Sequence, residues 1–256
     1  MKPLARHLWR LLALLLVSAL ALQIYFLARV ALMRVVDPAS TSFQRSEAWR
    51  LLRTDAQPAW AQQWVDYPQI SNHLKRAVIA SEDAGFAEHS GVEWDALERA
   101  WERNQRAQAR AAQLEQRRAA SAKPPPATRA RTRARLVGGS TITQQLAKNL
   151  FLTGERNFAR KGQEMLITFM LEATLPKRRI LEIYLNHVEW GEGLFGAEAA
   201  ARHYHRTSAA RLGANASARL AVMLPAPKRF EKRPNSAYVS GRASTVQARM
   251  GSVDVP

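Results

Sequence analysis

The sequence predicts a mainly α fold, entered through one membrane-spanning helix. Three observations predict it. Leu11 to Ala28 carries no charge, and its eighteen residues would make about 27 Å of helix, close to the thickness of a bilayer core. Downstream, apolar residues recur at i, i+3 or i+4 in one segment after another, with no convincing run of strand alternation. Helix boundary signals punctuate the same segments, including Thr141 with Gln144 as a capping box, Gly154 and Pro225.

Composition narrows the function classes. A chain of 256 residues fits one large domain or a two-lobed one, and 47% hydrophobic residues suffice for a core. The net charge of +17 calls for an anionic partner: nucleic acid, an anionic membrane or a phosphorylated substrate. The absence of cysteine excludes disulfides and thiol chemistry and leaves the compartment open. The histidines give no metal signature. There is no H-E-x-x-H, and His203 and His205 do not share a helix face.

Taken in order, residues 1–10 form a short basic N-terminus with Lys2, Arg6 and Arg10. Ala19-Leu20-Ala21 resembles a signal cleavage site. The apolar run continues through Ile24, Tyr25, Phe26 and Leu27, which favours a retained anchor over 11–33. Basic residues flank both ends, so charge does not orient it. Residues 34–64 read as a connecting segment with some helix. Trp49, Leu51, Leu52, Trp60, Trp64 and Tyr67 have two outlets there, packing on the domain or the membrane interface.

Helical spacing over His73 to Ala84 delivers Glu82 and Asp83 at a helix end, followed by Phe86, His89 and Gly91. Two roles are open to the acidic pair. Glu82 beside apolar Phe86 and a like charge would hold its proton more tightly and serve as a general base. Alternatively, both carboxylates solvate a helix end. A helix follows over Trp94 to Asn104. Residues 105–134 read as a flexible basic insertion, rich in Ala, Arg and Gln and broken by Pro124 to Pro126, with a frayed helix open before the prolines. Residues 103–135 hold ten Lys/Arg against Glu115, a net +9.

Gly138 to Asn149, GGSTITQQLAKN, is the centre of the chain. The glycines allow a close backbone approach, and a helix starts beside Thr141. Thr141, Gln145 and Lys148 share one face; Ile142, Leu146 and Leu150 share another. A hydroxyl, an amide and an ammonium above a helix N-terminus suit phosphate oxygens. An ordinary capped amphipathic helix has the same pattern. The next helix, Arg156 to Ala173, sets Arg160 and Glu164 one turn apart with Lys161 beside them, a pattern that also occurs as a plain helix salt bridge. Helices are expected over 177–187, 197–204 and 216–224, with a glycine-bearing loop at 190–193. Residues 231–256 read as a polar, basic tail, loosely ordered in part.

Four ordered stretches, EDAGFAEHSG (82–91), GGSTITQQLAKN (138–149), RKGQE (160–164) and KRRILEIYLN (177–186), resemble the motifs of the family 51 glycosyltransferases, the peptidoglycan glycosyltransferases. The likeness runs over about 65–230. It implies a lysozyme-like glycosyltransferase domain with a membrane-proximal hydrophobic jaw, without a transpeptidase domain. It implies polymerisation of lipid II into linear glycan strands by inverting transfer, with undecaprenyl pyrophosphate leaving. By position, Glu82 matches the general base and Glu164 the second acidic catalytic residue. Asp83, Phe86, His89, Thr141, Gln145, Lys148, Asn149, Arg160 and Lys161 match substrate-binding residues, with Lys148 and Arg160 neutralising the pyrophosphate. No cofactor is required, although a divalent cation is compatible with the pyrophosphate. The implied partners are lipid II, the growing strand, membrane lipid and other cell-wall synthesis proteins, and no nucleic acid. The implied location is the bacterial inner membrane, single-pass, with the N-terminus cytosolic and the catalytic domain periplasmic. Three features depart from the family pattern: the long 105–134 insertion, Val137 where an arginine is common, and Ala216-Ser217-Ala218 where Glu-Ala-Ala is frequent. A lytic enzyme on a related fold and a non-enzymatic basic membrane protein are the competing readings. The cations Lys148, Arg160 and Lys161 argue against the lytic one, because a neutral glycosidic bond releases no pyrophosphate.

Overall fold

A computed structural model describes residues 3–55, 59–120, 140–152, 154–155 and 157–256. Its elements run α1 (Pro3–Leu32), α2 (Ser42–Thr54), β1 (Ala61–Gln62), α3 (Asn72–Glu82), α4 (Trp94–Ala120), α5 (Ile142–Phe151), α6 (Phe158–Thr174) and α7 (Lys177–His187). Then come β2 (Glu189–Gly191), β3 (Leu194–Phe195), α8 (Ala197–His205), α9 (Ala214–Met223), α10 (Pro227–Phe230) and α11 (Ala237–Arg249). The mainly α expectation holds. One small sheet, in the order β1-β3-β2, was not expected; β1 pairs parallel and β2 antiparallel to β3. Strands of two or three residues are too short to show alternation in a sequence.

The chain forms two compact units, residues 1–91 with 142–256, and residues 92–141. In the larger unit α7 is the hub. Ile180, Leu181, Ile183, Tyr184 and Leu185 are all essentially inaccessible, so this helix is covered nearly all round. α9 and α11 pack on α3. That packing corrects the expected loose tail: Val239, Ala243, Val246 and Met250 recur at i, i+4, i+7 and i+11 and are all buried. Ser236 caps α11 by accepting from the Val239 N–H, and the Tyr67 hydroxyl donates to the carbonyl of Pro256 at 2.6 Å. The small residues of this segment hid an apolar stripe in a polar composition.

α1 is one helix of 30 residues, long and apolar enough to cross a membrane by length and composition. Its middle exposes leucines such as Leu14 and Leu16, whereas Phe26, Val30 and Met33 near its end are buried. Gln23 and Gln163 exchange two amide hydrogen bonds of 2.9 Å, and Phe26 meets the Phe151 ring edge-on. Arg179 then donates to the carbonyls of Met33 and Val36 and pairs with Asp37 at 2.6 Å.

The expected connecting segment is part of the domain. Thr41 and Gln44 form the capping box of α2, and buried Gln44 lies 3.0 Å from His187 Nδ1. Val65 and Asn186 are joined by two hydrogen bonds of 2.9 Å. Leu51 and Tyr67 take the packing outlet and are buried; Trp49 and Leu52 remain exposed.

In the smaller unit α4 continues to Ala120, so residues 105–120, the part of the insertion before the prolines, take the helical outlet. Ala, Gln and Arg are all good helix formers, and no proline interrupts them before Pro124. Residues 121–134 of that insertion, Val137 and the glycines 138 and 139 lie outside the described residues.

Candidate active site

Ser71 caps α3 by accepting from the His73 N–H, and Leu74, Ala77 and Val78 bury one face of the helix completely. The helix therefore ends rigidly at Glu82, with Asp83 as its C-cap residue. The neighbouring carboxylates then diverge. Asp83 is buried. Its Oδ2 accepts the backbone N–H of Ile142 at 2.9 Å, and its Oδ1 lies 2.7 Å from His89 Nε2. The first bond caps α5 at its opening residue, where the helix N-terminus favours an anion. The second is a donation from the ring, because His89 Nδ1 accepts the Gly91 N–H at 3.1 Å and the hydrogen then resides on Nε2.

The rest of this loop is held from below. Lys177 Nζ donates to the His89 carbonyl at 2.6 Å and to Glu172 Oε1 at 2.9 Å. Thr143 Oγ1 donates to the same Glu172 oxygen at 2.5 Å. Gly91 has φ +88, and a Cβ there would come within 2.7 Å of Thr168 Cγ2, so the close approach requires glycine. Phe86 is fully buried, with the Lys177 ammonium 4.6 Å from its ring centroid. Phe86 thus packs beneath the loop that carries Asp83 and His89. Asp83 has both oxygens engaged by protein donors.

Glu82 is only partly buried and has an amide as its partner. Gln145 Nε2 donates to Glu82 Oε2 at 3.0 Å, and the Tyr184 hydroxyl donates to Gln145 Oε1 at 3.0 Å. Loss of hydration raises the Glu82 pKa above the usual carboxylate range; the Gln145 bond opposes the rise and the Asp83 charge adds to it. A carboxyl group with that tendency, and with no cationic partner among the described residues, is equipped to accept a proton.

α5 carries Gln145 and Lys148 three residues apart. Its other face, Ile142, Leu146 and Leu150, is buried as the spacing predicts. The helix ends at Phe151, three residues before Gly154. Asn149 is half-buried beside Lys148, and Thr141, the residue before α5, is buried. On α6, capped by Asn157 accepting the Arg160 N–H at 2.7 Å, Glu164 is buried. Arg160 reaches one of its oxygens at 2.9 Å and Lys161 contacts the other. Lys148 keeps an exposed surface, but the protein around it removes enough hydration to lower its pKa. The Glu164 charge opposes that shift, and Arg160 and Lys161 reinforce it. Two cations thus pair with one carboxylate and a third feels its charge, a formal surplus of two positive charges within this group. Arg160 Nε is buried and has no hydrogen-bond partner among the described residues, leaving a charged donor for an anion to meet.

The structure therefore joins Glu82 to Gln145, and groups Lys148, Arg160, Lys161 and Glu164. Tyr184, Lys177, Glu172 and Thr143 were not foreseen as site residues. Tyr184 lay in an apolar helix face, and nothing local marks the partner of a buried hydroxyl. Lys177 sat inside a recognised motif, KRRILEIYLN, which was the one signal available.

A carboxyl group able to take up a proton and a separate seat of positive charge suit one class: a transferase whose leaving group is anionic. The transglycosylase family profile matches residues 51–113 and 126–251. The biosynthetic peptidoglycan transglycosylase of Bordetella pertussis is 48% identical over 261 residues, covering 100% of this chain and 99% of that protein. The protein of the same name from Burkholderia thailandensis is 52% identical over 240 residues, covering 93% of this chain and 83% of that one. That of Burkholderia orbicola is 51% identical over 239 residues, covering 93% and 86%. The chain belongs to the transglycosylase family, whose domain is the lysozyme-like glycosyltransferase fold.

Proposed function

We propose that this chain polymerises lipid II into linear glycan strands by inverting transfer. Glu82 takes the proton from the 4-hydroxyl of the acceptor GlcNAc. The oxygen so freed attacks the anomeric carbon of the donor MurNAc, and the bond to undecaprenyl pyrophosphate breaks on the opposite side. Lys148, Arg160 and Lys161 receive the charge that develops on the diphosphate. Glu164 holds two of those cations in place, and Thr141, Gln145 and Asn149 bind on the donor side. Asp83, His89 and Phe86 keep the acceptor loop in shape.

The observation that carries this reading is the contrast between Glu82, bonded to a neutral amide, and the cation cluster with its unpartnered Arg160 Nε. A base without a cationic partner retains affinity for a proton, and a cluster with surplus charge retains affinity for an anion. The reaction needs no resident cofactor in this scheme. A divalent cation, where one takes part, would arrive on the diphosphate; among the described residues no three His, Asp or Glu side chains are grouped to hold a metal.

We place α1 in the bacterial inner membrane, with the N-terminus cytosolic and the catalytic unit periplasmic, where its lipid-linked substrate is presented. Other cell-wall synthesis proteins are proposed as partners, and nucleic acid is not. The test is polymerisation of labelled lipid II by the purified full chain in detergent, beside a folded Glu82→Gln variant. Long glycan from the wild type alone is the expected result. Equal polymer from both would remove Glu82 from the mechanism.

A further inference from the structure

We propose that Tyr184 is a positioning residue: its buried hydroxyl fixes the side-chain amide of Gln145 so that the amide N–H, and not its oxygen, faces Glu82. The proposal rests on Glu82 as the base, and it adds a residue outside the substrate-contacting set.

The geometry is a relay of two bonds. Tyr184 O–H donates to Gln145 Oε1 at 3.0 Å, and Gln145 Nε2 donates to Glu82 Oε2 at 3.0 Å. A glutamine amide has two ends of opposite character and can rotate by half a turn. Turned over, it would place Oε1 against the carboxylate, oxygen facing oxygen. It would also send Nε2 to the phenol. The phenol oxygen could accept that N–H, but its own hydrogen would then lose its acceptor. Tyr184 is 1% exposed, and no second acceptor for its hydroxyl is found among the described residues, so that hydrogen would be buried without a partner. Leaving a buried donor unsatisfied is unfavourable, and water has no access to replace the acceptor. Burial also raises the phenol pKa well above the ordinary tyrosine value, so the hydroxyl keeps its hydrogen at neutral pH. Tyr184 is itself held by α7, whose neighbours Ile180, Leu181 and Ile183 are fully buried.

Gln145 in this orientation stabilises the charged form of Glu82 against the loss of hydration that opposes it. Without the phenol, the amide oxygen loses the donor that pins it in this orientation, and part of that stabilisation is lost. A hydrogen bond to a charged group matches about one unit of pKa. Tyr184→Phe keeps the ring and removes only the donor. It should raise the Glu82 titration by about one unit, and lower kcat/KM about tenfold on the acid limb of the pH profile while the alkaline plateau stays near wild type.

The experiment reads the carboxyl directly. The full chain in detergent is labelled with [5-13C]glutamate, the Glu82 resonance is assigned by its absence in Glu82→Gln, and its titration is followed in wild type and Tyr184→Phe. A titration about one unit higher in the variant bears the proposal out, whatever polymerisation does. An unchanged titration in a folded variant overturns it, even if activity falls. A raised titration with an unmoved acid limb upholds the relay and removes Glu82 as the base, so the two readings fail separately. Should Tyr184→Phe not fold, Gln145→Leu serves: Glu82 must titrate higher there too, and an unchanged value overturns the relay.

Discussion

The acidic corner at the end of α3 and the cationic corner on α6 treat a carboxylate in opposite ways. At the cationic corner, Arg160 and Lys161 engage both oxygens of Glu164, and Lys148 stands near. At the acidic corner no lysine or arginine among the described residues pairs with Glu82 or Asp83. Asp83 is satisfied by a backbone N–H and an imidazole, and Glu82 by neutral donors, the Gln145 amide and the Ser81 hydroxyl. Proximity of two carboxyl groups therefore does not make a shared site. One of the pair is spent on architecture, and its fixed negative charge then makes ionisation of the other harder. Two glutamates carried on helices are thus told apart by their donors: a neutral amide for Glu82, and Arg160 and Lys161 for Glu164.

The largest effect expected is from Glu82→Gln, which keeps shape and removes the proton acceptor. Polymerisation should fall by about 10²–10⁴-fold, with thermal unfolding close to that of the wild type. Lys148→Met sharpens the comparison from the other side. It should reduce kcat by about 10²–10³-fold, as loss of one preorganised stabilising group typically does. Single-turnover assays at saturating lipid II would show the loss in the chemical step rather than in binding.

Asp83→Ala tests the architectural half of the acidic pair. It removes the α5 cap and the His89 acceptor together. Unfolding in denaturant should show a loss of about 1–3 kcal/mol. If the loss were near zero, Asp83 would not be holding α5.

The smallest effect concerns Glu189, a carboxyl group buried far along the chain from the acidic pair. Loss of hydration pushes its pKa up to about 7, the Lys228 charge opposes that rise, and Glu47 and Glu231 add to it. The Lys228 ammonium is 3.4 Å from Oε1, near enough for attraction but without hydrogen-bond alignment. The folded pKa lies above the ordinary value of 4.5, so between those limits the folded state binds the extra proton and stability declines as pH rises. His187 has the opposite sign. Burial lowers it to about 4, so stability declines as pH falls from its ordinary value of 6.5. Glu189→Gln should remove the first slope and keep the second, which thermal unfolding between pH 4 and 8 would show as a wild-type-minus-variant difference.

Much of this was legible in the residues. The α7 helix over 177–187 was read at its observed boundaries, because its apolar spacing and the flanking Pro176 are local signals. Glu82, Lys148 and Glu164 were read from motifs whose order survives in the chain. The α11 helix was missed because Ala243 and Val246 are small and lie among polar neighbours. The three strands were missed because each is shorter than the period that would reveal it.

By itself the sequence determined the helices, the apolar N-terminal run, the surplus of positive charge and the identity of the groups able to do the chemistry. All of these depend on spacing within a few turns. The tertiary structure decided which glutamate stays available. Glu82 meets Gln145 across 63 residues of chain, Ile142 meets Asp83 across 59, and Tyr184 meets Gln145 across 39. A hydrogen bond is made between groups close in space, and periodicity carries no record of which distant donor will arrive. The donors that each carboxylate meets are therefore set by tertiary packing, which brings α5 and α7 to the end of α3.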